Sequence, residues 1–195
     1  MGTARGPAGV VVLYNVSDRL VKGEPWDLLA EQGVAHCAEA VSEALRSVGY
    51  RVAEVPVHLE VEVALAPYPP TEWVVFNLGE GLEGRLFEEP RIVWALDAMG
   101  YCYTGSPGNA IARSVHKARA KAALARNGVP TPQGWLFRHP DDIDVRETWP
   151  LPLIVKPVAE DASIGVGAAA VVHSLPALRD RVAYVVERYR QAALV

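Results

Sequence analysis

The 195 residues contain only two cysteines, Cys37 and Cys102. They lie far apart, in segments that read as a helix and a strand, which excludes a disulfide framework and a cysteine metal site. Both are therefore expected to be small core residues. There is no excess of basic charge: the formal net charge is -4, without the broad cationic surface that phosphate backbones require. Nucleic acid is thus not expected as a partner. Long apolar runs are also missing. The longest stretch without Asp, Glu, Lys or Arg, from Ala162 to Leu178, contains His173, Ser174 and Pro176 and does not read as a membrane span. The opening residues Met1 to Gly6 have no apolar signal core and no myristoylation pattern, so a cytoplasmic compartment is expected. The composition, half apolar and 22% charged, is that of an ordinary folded protein of one or two domains.

Gly9 to Tyr14, GVVVLY, is a short β-branched run of the kind found in strands buried on both faces. From Gln32 to Val48, apolar residues at 34, 37, 38, 41, 44, 45 and 48 recur at helical spacing, and Gly49 stands where a helix end takes a left-handed residue. Strands are expected at Arg51 to Val55, Trp73 to Asn77 and Tyr101 to Tyr103, with a proline-broken stretch from Pro56 to Pro70 and a helix from about Arg85 to Met99. Such alternation predicts a mostly parallel sheet covered by helices, whose ligands gather at the carboxyl ends of the strands. After Thr104-Gly105-Ser106-Pro107 the character changes, which places a domain boundary near residue 107. An alanine- and lysine-rich helix is expected from about His116 to Arg126, then strands at Gly134 to Phe137, Pro152 to Lys156 and Ala168 to Val172, and a helix from Leu175 to Arg190. Residues 138 to 150 read as a polar linker. Ala192 to Val195 begins like a strand and stops, which reads as a truncation.

The segment most informative about chemistry is PLIVKPVAEDASIGVG, Pro152 to Gly167. An apolar strand delivers Lys156 at its end, and a loop of small residues with Glu160, Ser163, Gly165 and Gly167 follows. Small residues let a backbone approach a phosphate chain closely, and a strand-end lysine adds a point charge. No Gly-Lys-Ser/Thr follows, so this is not a P-loop; by itself the segment is equally consistent with a flexible hairpin carrying a surface lysine. Gly79-x-Gly81-x-x-Gly84 satisfies the dinucleotide fingerprint, but Glu80 and Glu83 would face a pyrophosphate and no acid stands about twenty residues beyond. The five histidines, His36, His58, His116, His139 and His173, have no metal-ligand spacing.

Together with three other stretches, VVFNLGEGLEGR (74 to 85), YTGS (103 to 106) and HKARAKAALARNGVPTP (116 to 132), this segment resembles the D-alanine–D-alanine ligase branch of the ATP-grasp family, in the family's order and roughly its spacing. The resemblance implies a Rossmann-like α/β parallel-sheet pre-ATP-grasp domain over residues 1 to 106, followed over 107 to 195 by an incomplete α+β ATP-grasp subdomain. It assigns Lys117 and Lys156 to the ATP phosphates and Glu160 to the nucleotide-site network. Ser163, Ile164 and Gly165 fall on the mobile loop that folds over the γ-phosphate. The implied reaction joins a carboxylate to an amine through an acyl phosphate, with Mg²⁺ whose ligands lie beyond residue 195. Small amino acids or carboxylates are the implied substrates, peptidoglycan biosynthesis the implied setting, and a homodimer of the full enzyme is allowed. Lys117 is singled out by family order alone, since Arg119, Lys121 and Arg126 are its neighbours. The family's Gly-Gly-x-Ser-x-Glu segment is replaced by Tyr14-Asn15-Val16-Ser17-Asp18, its histidine-glycine pair by Leu78-Gly79, and its paired loop serines by Ala162-Ser163. The alternatives are a non-catalytic doubly wound binding domain and, behind it, an NAD-binding protein.

Overall fold

The run GVVVLYN forms strand β1 (Gly9–Asn15) in a computed structural model that describes residues 9–16, 21–82 and 88–195. Strands β2 (Val52–Val57) and β3 (Trp73–Asn77) pair with it in parallel on either side, in the order β2-β1-β3, with registers running from Val10↔Val52 and from Gly9↔Trp73. A central parallel strand is covered on both faces, so it shows no alternation of polar and apolar residues. Val11, Val12 and Leu13 are accordingly all buried. Gly9 is required by packing, because a Cβ there would stand 2.4 Å from the Trp73 ring.

Helices α1 (Asp27–Ser47), α2 (Val61–Leu65), α3 (Glu89–Met99) and α4 (Gly108–Ser114) complete the first half of the chain. Helix α3 closes on Gly100 at φ 77°, whose N–H donates to the Leu96 and Asp97 carbonyls, the left-handed ending that glycine permits. The core gathers Leu13, Val55, Val75, Ile92 and Leu96 among others. Three expectations are corrected. The strand at Tyr101–Tyr103 reduces to one parallel bridge, Val75↔Tyr103. The proline-broken stretch contains α2, whose Val61 and Leu65 are buried. Cys37 and Cys102 are exposed rather than core residues; Cys37 precedes the buried Ala38 on α1, and one helical step turns it away from the core. The expected helix start at Arg85, and Ser17 and Asp18, lie outside the described residues.

The second half has helices α5 (Lys117–Arg126) and α6 (Leu175–Tyr189) and five two-residue strands: β4 (Leu136–Phe137), β5 (Leu153–Ile154), β6 (Lys156–Pro157), β7 (Val171–Val172) and β8 (Ala193–Leu194). Strands β4, β8 and β6 form one antiparallel sheet with β8 in the middle, and β5 pairs with β7 in another. The single strand expected from Pro152 to Lys156 is therefore divided at Val155, which is buried and donates its N–H to the Ala170 carbonyl. The strand expected from Ala168 opens as a 3-10 turn, Ala168–Ala170, and only Val171–Val172 pairs. Helix α6 buries Leu178, Val182, Val185 and Tyr189, the stripe an amphipathic helix presents to a core. Residues 138 to 150 are not a loose linker: Ile143 is buried in that core and Trp149 packs edge-on against Trp135 and Phe137.

The chain divides into two compact units. The first comprises Met1–Val21 and Leu28–Ala112, the second Lys22–Asp27 and Arg113–Val195. The six residues Lys22–Asp27 thus belong to the second unit although they precede most of the first.

Candidate functional site

The second unit brings three of the residues singled out in the sequence to one place. Helix α5 starts at Lys117 because His116, extended at φ -103°, turns its ring nitrogen to accept the Arg119 N–H, a side-chain cap on an orphan amide. The Lys117 N–H donates to the Val158 carbonyl at 2.9 Å, which ties the helix start to the chain just beyond β6. From there the Lys117 ammonium donates to the Glu160 carbonyl oxygen. Lys156 lies at the head of β6, half-buried, opposite Leu194 of β8. It is close enough to Lys117 that the two ammonium charges oppose each other. Among the described residues Lys156 has no ion pair or hydrogen-bond partner from its side chain.

Glu160 is the centre of the cluster. It is 5% exposed, and its carboxylate oxygen Oε1 accepts from the Lys22 ammonium and from the Gln191 amide. Gln191 is itself oriented, since its Oε1 accepts the Ala159 N–H at 2.6 Å. Burial pushes the Glu160 carboxyl above the usual carboxylate range, against the pull of Lys22, Gln191 and Lys117. Burial likewise lowers the proton affinity of Lys117, opposed by Glu160 and Asp161 and reinforced by Lys156. These are the two directions expected when charged groups leave water. Lys22 and Gln191 were not found by sequence reasoning. Lys22 lies 138 residues from Glu160 in no motif, and Gln191 follows the helix that shapes the site.

The small-residue loop after Glu160 adopts left-handed backbone at Ala162, Ser163 and Gly165, with φ of 43°, 63° and 72°. It is tied by turns from Ile164 N–H to the Asp161 carbonyl at 2.7 Å and from Val166 N–H to the Ser163 carbonyl at 2.9 Å. Ile164 is buried, and Arg181 of α6 donates to the Gly165 carbonyl at 2.8 Å. Gly165 is required twice over, by its φ and because a Cβ would stand 2.5 Å from the Pro157 ring. The loop here is packed down on its own unit.

In the first unit, the carboxyl ends of the strands carry Asn15 and Asn77. Their side-chain oxygens accept the Glu80 and Gly79 N–H groups at 2.8 and 3.0 Å, and Asn77 N–H donates to the Thr104 hydroxyl at 3.0 Å. The Gly79 and Glu80 amides at the head of the dinucleotide-like stretch are therefore already committed to side chains, and α3 begins only at Glu89; Gly84 lies outside the described residues. A pyrophosphate site of the dinucleotide type needs those amides at a helix start. Among the described residues, no group of three His, Cys, Asp or Glu could hold a metal, and no helix is long and apolar enough to cross a membrane.

No family model matches the chain. Among curated proteins it is 39% identical over 128 residues to the D-alanine–D-alanine ligase of Caulobacter sp. (strain K31), covering 65% of this chain and 38% of that protein. To the D-alanine–D-alanine ligase of Acidiphilium cryptum it is 36% identical over 126 residues, 65% of this chain and 40% of that one. The chain thus spans about two fifths of these relatives. Among solved structures, the D-alanine–D-alanine ligase of Bacillus anthracis superposes over 95% of this chain and 56% of its own, with a TM-score of 0.67 and 15% identity. Its form complexed with ATP gives 0.66, and an L-amino acid ligase from Bacillus licheniformis gives 0.58 at 17% identity over 95% of this chain. At such identities these structures speak for the fold alone. In sequence, over about two thirds of its length, the chain is similar to part of the D-alanine–D-alanine ligases, and its fold is similar to that of solved ligases of the same name.

Proposed function

We propose that this chain is the N-terminal and central part of an ATP-dependent ligase that joins a carboxylate to an amine, with Lys117, Lys156, Glu160, Ser163, Ile164 and Gly165 contributing to its nucleotide site. The observation that supports the proposal is the Lys117 ammonium held on the carbonyl of the buried Glu160, with Lys156 near enough to oppose the Lys117 charge. A polyanion suits this donor set: the ammonium groups of Lys22, Lys117 and Lys156 outnumber the carboxylates of Glu160 and Asp161. A phosphate near Lys117 would also reverse the loss of proton affinity that burial imposes on it.

In the proposed reaction the carboxylate is activated as its acyl phosphate, and the amine displaces the phosphate. The residues of this chain act by position and charge. Lys117 and Lys156 offset phosphate charge from rigid starting points, a helix start and a strand head, so little further ordering is needed. The small-residue loop admits close backbone approach. Mg²⁺ belongs to the proposal only as an ion whose ligands come from outside the described residues, and turnover is assigned to the longer protein. The substrate is proposed no more narrowly than an amino acid or small carboxylate. A cytoplasmic location, peptidoglycan biosynthesis as the setting, a pre-ATP-grasp role for the first unit and a homodimer of the longer protein belong to the same proposal.

The test is calorimetric titration of ATP into the longer protein and its variants. Lys156→Ala and Lys117→Ala are each expected to weaken binding by about 1.5 to 3 kcal/mol, roughly ten- to a hundredfold. Parent-like affinity in both variants would favour a non-catalytic binding domain instead.

A further inference from the structure

We infer that Lys22 is a positioning residue of this cluster: by occupying the Glu160 carboxylate, it keeps the Lys117 ammonium on the Glu160 carbonyl. Glu160 offers its neighbours two kinds of acceptor. The backbone oxygen holds Lys117, while carboxylate Oε1 holds Lys22 and the neutral amide of Gln191. Lys22 is thus the one charged group bonded to the carboxylate among the described residues. The other charges in reach are Lys117 itself, from α5, then Asp161 beside Glu160 and Lys156 on β6, both of which act on Lys117.

Removing the Lys22 charge leaves a buried carboxylate with a single neutral donor, a costly state. Two responses are open. Glu160 can take up a proton, or Lys117 can leave the carbonyl for the carboxylate, since a bond between two charges is stronger than one to a neutral oxygen. Either response changes a property of another residue that a mere anchor would leave alone. Lys22 is also not needed to hold its own segment in place. Gly23 N–H donates to the Arg188 carbonyl at 3.1 Å, Glu24 accepts from Tyr184 and Arg188 at 2.8 and 2.9 Å, and Asp27 accepts from Tyr189 at 3.0 Å. Substitution at Lys22 should therefore leave the fold intact.

The experiment is an NMR titration of the 195-residue chain carrying ¹³C-labelled glutamate carboxyls and ¹⁵N-labelled lysine ammonium groups. In Lys22→Met the Glu160 carboxyl should titrate at higher pH than in the parent, and the Lys117 Nζ resonance should move. In Lys22→Arg, which keeps the charge, both should stay parent-like. An unchanged Lys117 resonance in Lys22→Met, whatever the Glu160 titration does, or a Lys22→Arg that behaves like Lys22→Met, would overturn the inference. Should Lys22→Met not fold, the parent decides the matter: Lys22 ammonium protons that exchange as fast as those of a free lysine are incompatible with the proposed pairing, and slow exchange supports it.

The consequence for binding rests on the proposed nucleotide site. There Lys22→Met should lower ATP affinity about tenfold near neutral pH. The deficit should shrink as pH falls through the Glu160 titration, because a protonated carboxyl no longer attracts Lys117. If Lys117→Ala and Lys156→Ala bind ATP like the parent, the nucleotide reading fails, and the Lys22 inference is still decided by the titration.

Discussion

Glu160 is a carboxylate held almost wholly out of water, and its raised proton affinity makes a statement about stability. A group whose folded value lies above its unfolded one stabilises fully below the unfolded value, and that contribution is lost as pH rises through the folded value. Lys117 is shifted downward, so its effect is confined to the alkaline range. Glu24 and Asp142 are shifted downward as well and lose their contributions as pH falls, which masks Glu160 in the parent alone. Comparison with Glu160→Gln removes the mask, because glutamine does not titrate and the other groups are shared. The parent should exceed Glu160→Gln in melting temperature by more near pH 4.5 than near pH 7.5. A difference that stays constant across thermal melts in that range would contradict the assigned burial of the carboxylate.

Helix α5 illustrates how an element can be legible from its residues while its attachments are not. Its alanine-rich sequence has high helix propensity, yet none of its side chains is buried. Tertiary bonds at polar ends therefore hold it. Lys117 supplies those at the start. Lys121, one turn on, reads in the sequence as a lysine free to face solvent, but its ammonium donates to the Thr131 hydroxyl at 2.9 Å and to the Pro132 carbonyl. It thereby ties the Val129–Pro132 segment back onto the helix. Lys121→Ala should cost about 1 kcal/mol in denaturant unfolding, discounted for exposure, and should speed amide exchange in the turn. ATP affinity should remain within about 0.5 kcal/mol of the parent. Unchanged stability would mean that the staple contributes nothing in solution.

At the scale of the whole molecule, sequence order and compactness disagree. The second unit borrows Lys22–Asp27, and these six residues satisfy groups that the rest of the unit leaves buried. Asp27, 6% exposed, accepts from the Tyr189 hydroxyl and from Glu24 N–H. Glu24 accepts from Tyr184 and Arg188, and Lys22 donates to the Glu160 carboxylate. A piece comprising residues 113 to 195 alone should therefore be less stable than the same residues in the whole chain by about 3 kcal/mol or more, the sum of several lost bonds to charged or buried groups. Thermal melts followed by circular dichroism check this, and an equally cooperative melt at the same midpoint would refute it.

What could be read from residues alone was whatever depends on short-range pattern. Strand β3 coincides with WVVFN, and β1 extends the GVVVLY run by one residue, because a strand covered on both faces needs a continuous apolar run. Helix α6 was equally plain, since one stripe of its residues faces the core. Lys117, Lys156 and Glu160 were selected by motif order; the Lys117 ammonium lies on the Glu160 carbonyl and Lys156 is near enough to oppose its charge. The break of one expected strand into β5 and β6 was not legible, because it depends on which distant strands pair on either side of Val155. Nor was the outward turn of Cys37, which depends on where the core lies around α1. Lys22 was out of reach of any periodicity. Its partner is 138 residues away, and only folding that carries residues 22 to 27 into the second unit brings an ammonium to a buried carboxylate, where the cost of leaving either charge unpaired makes the pairing decisive.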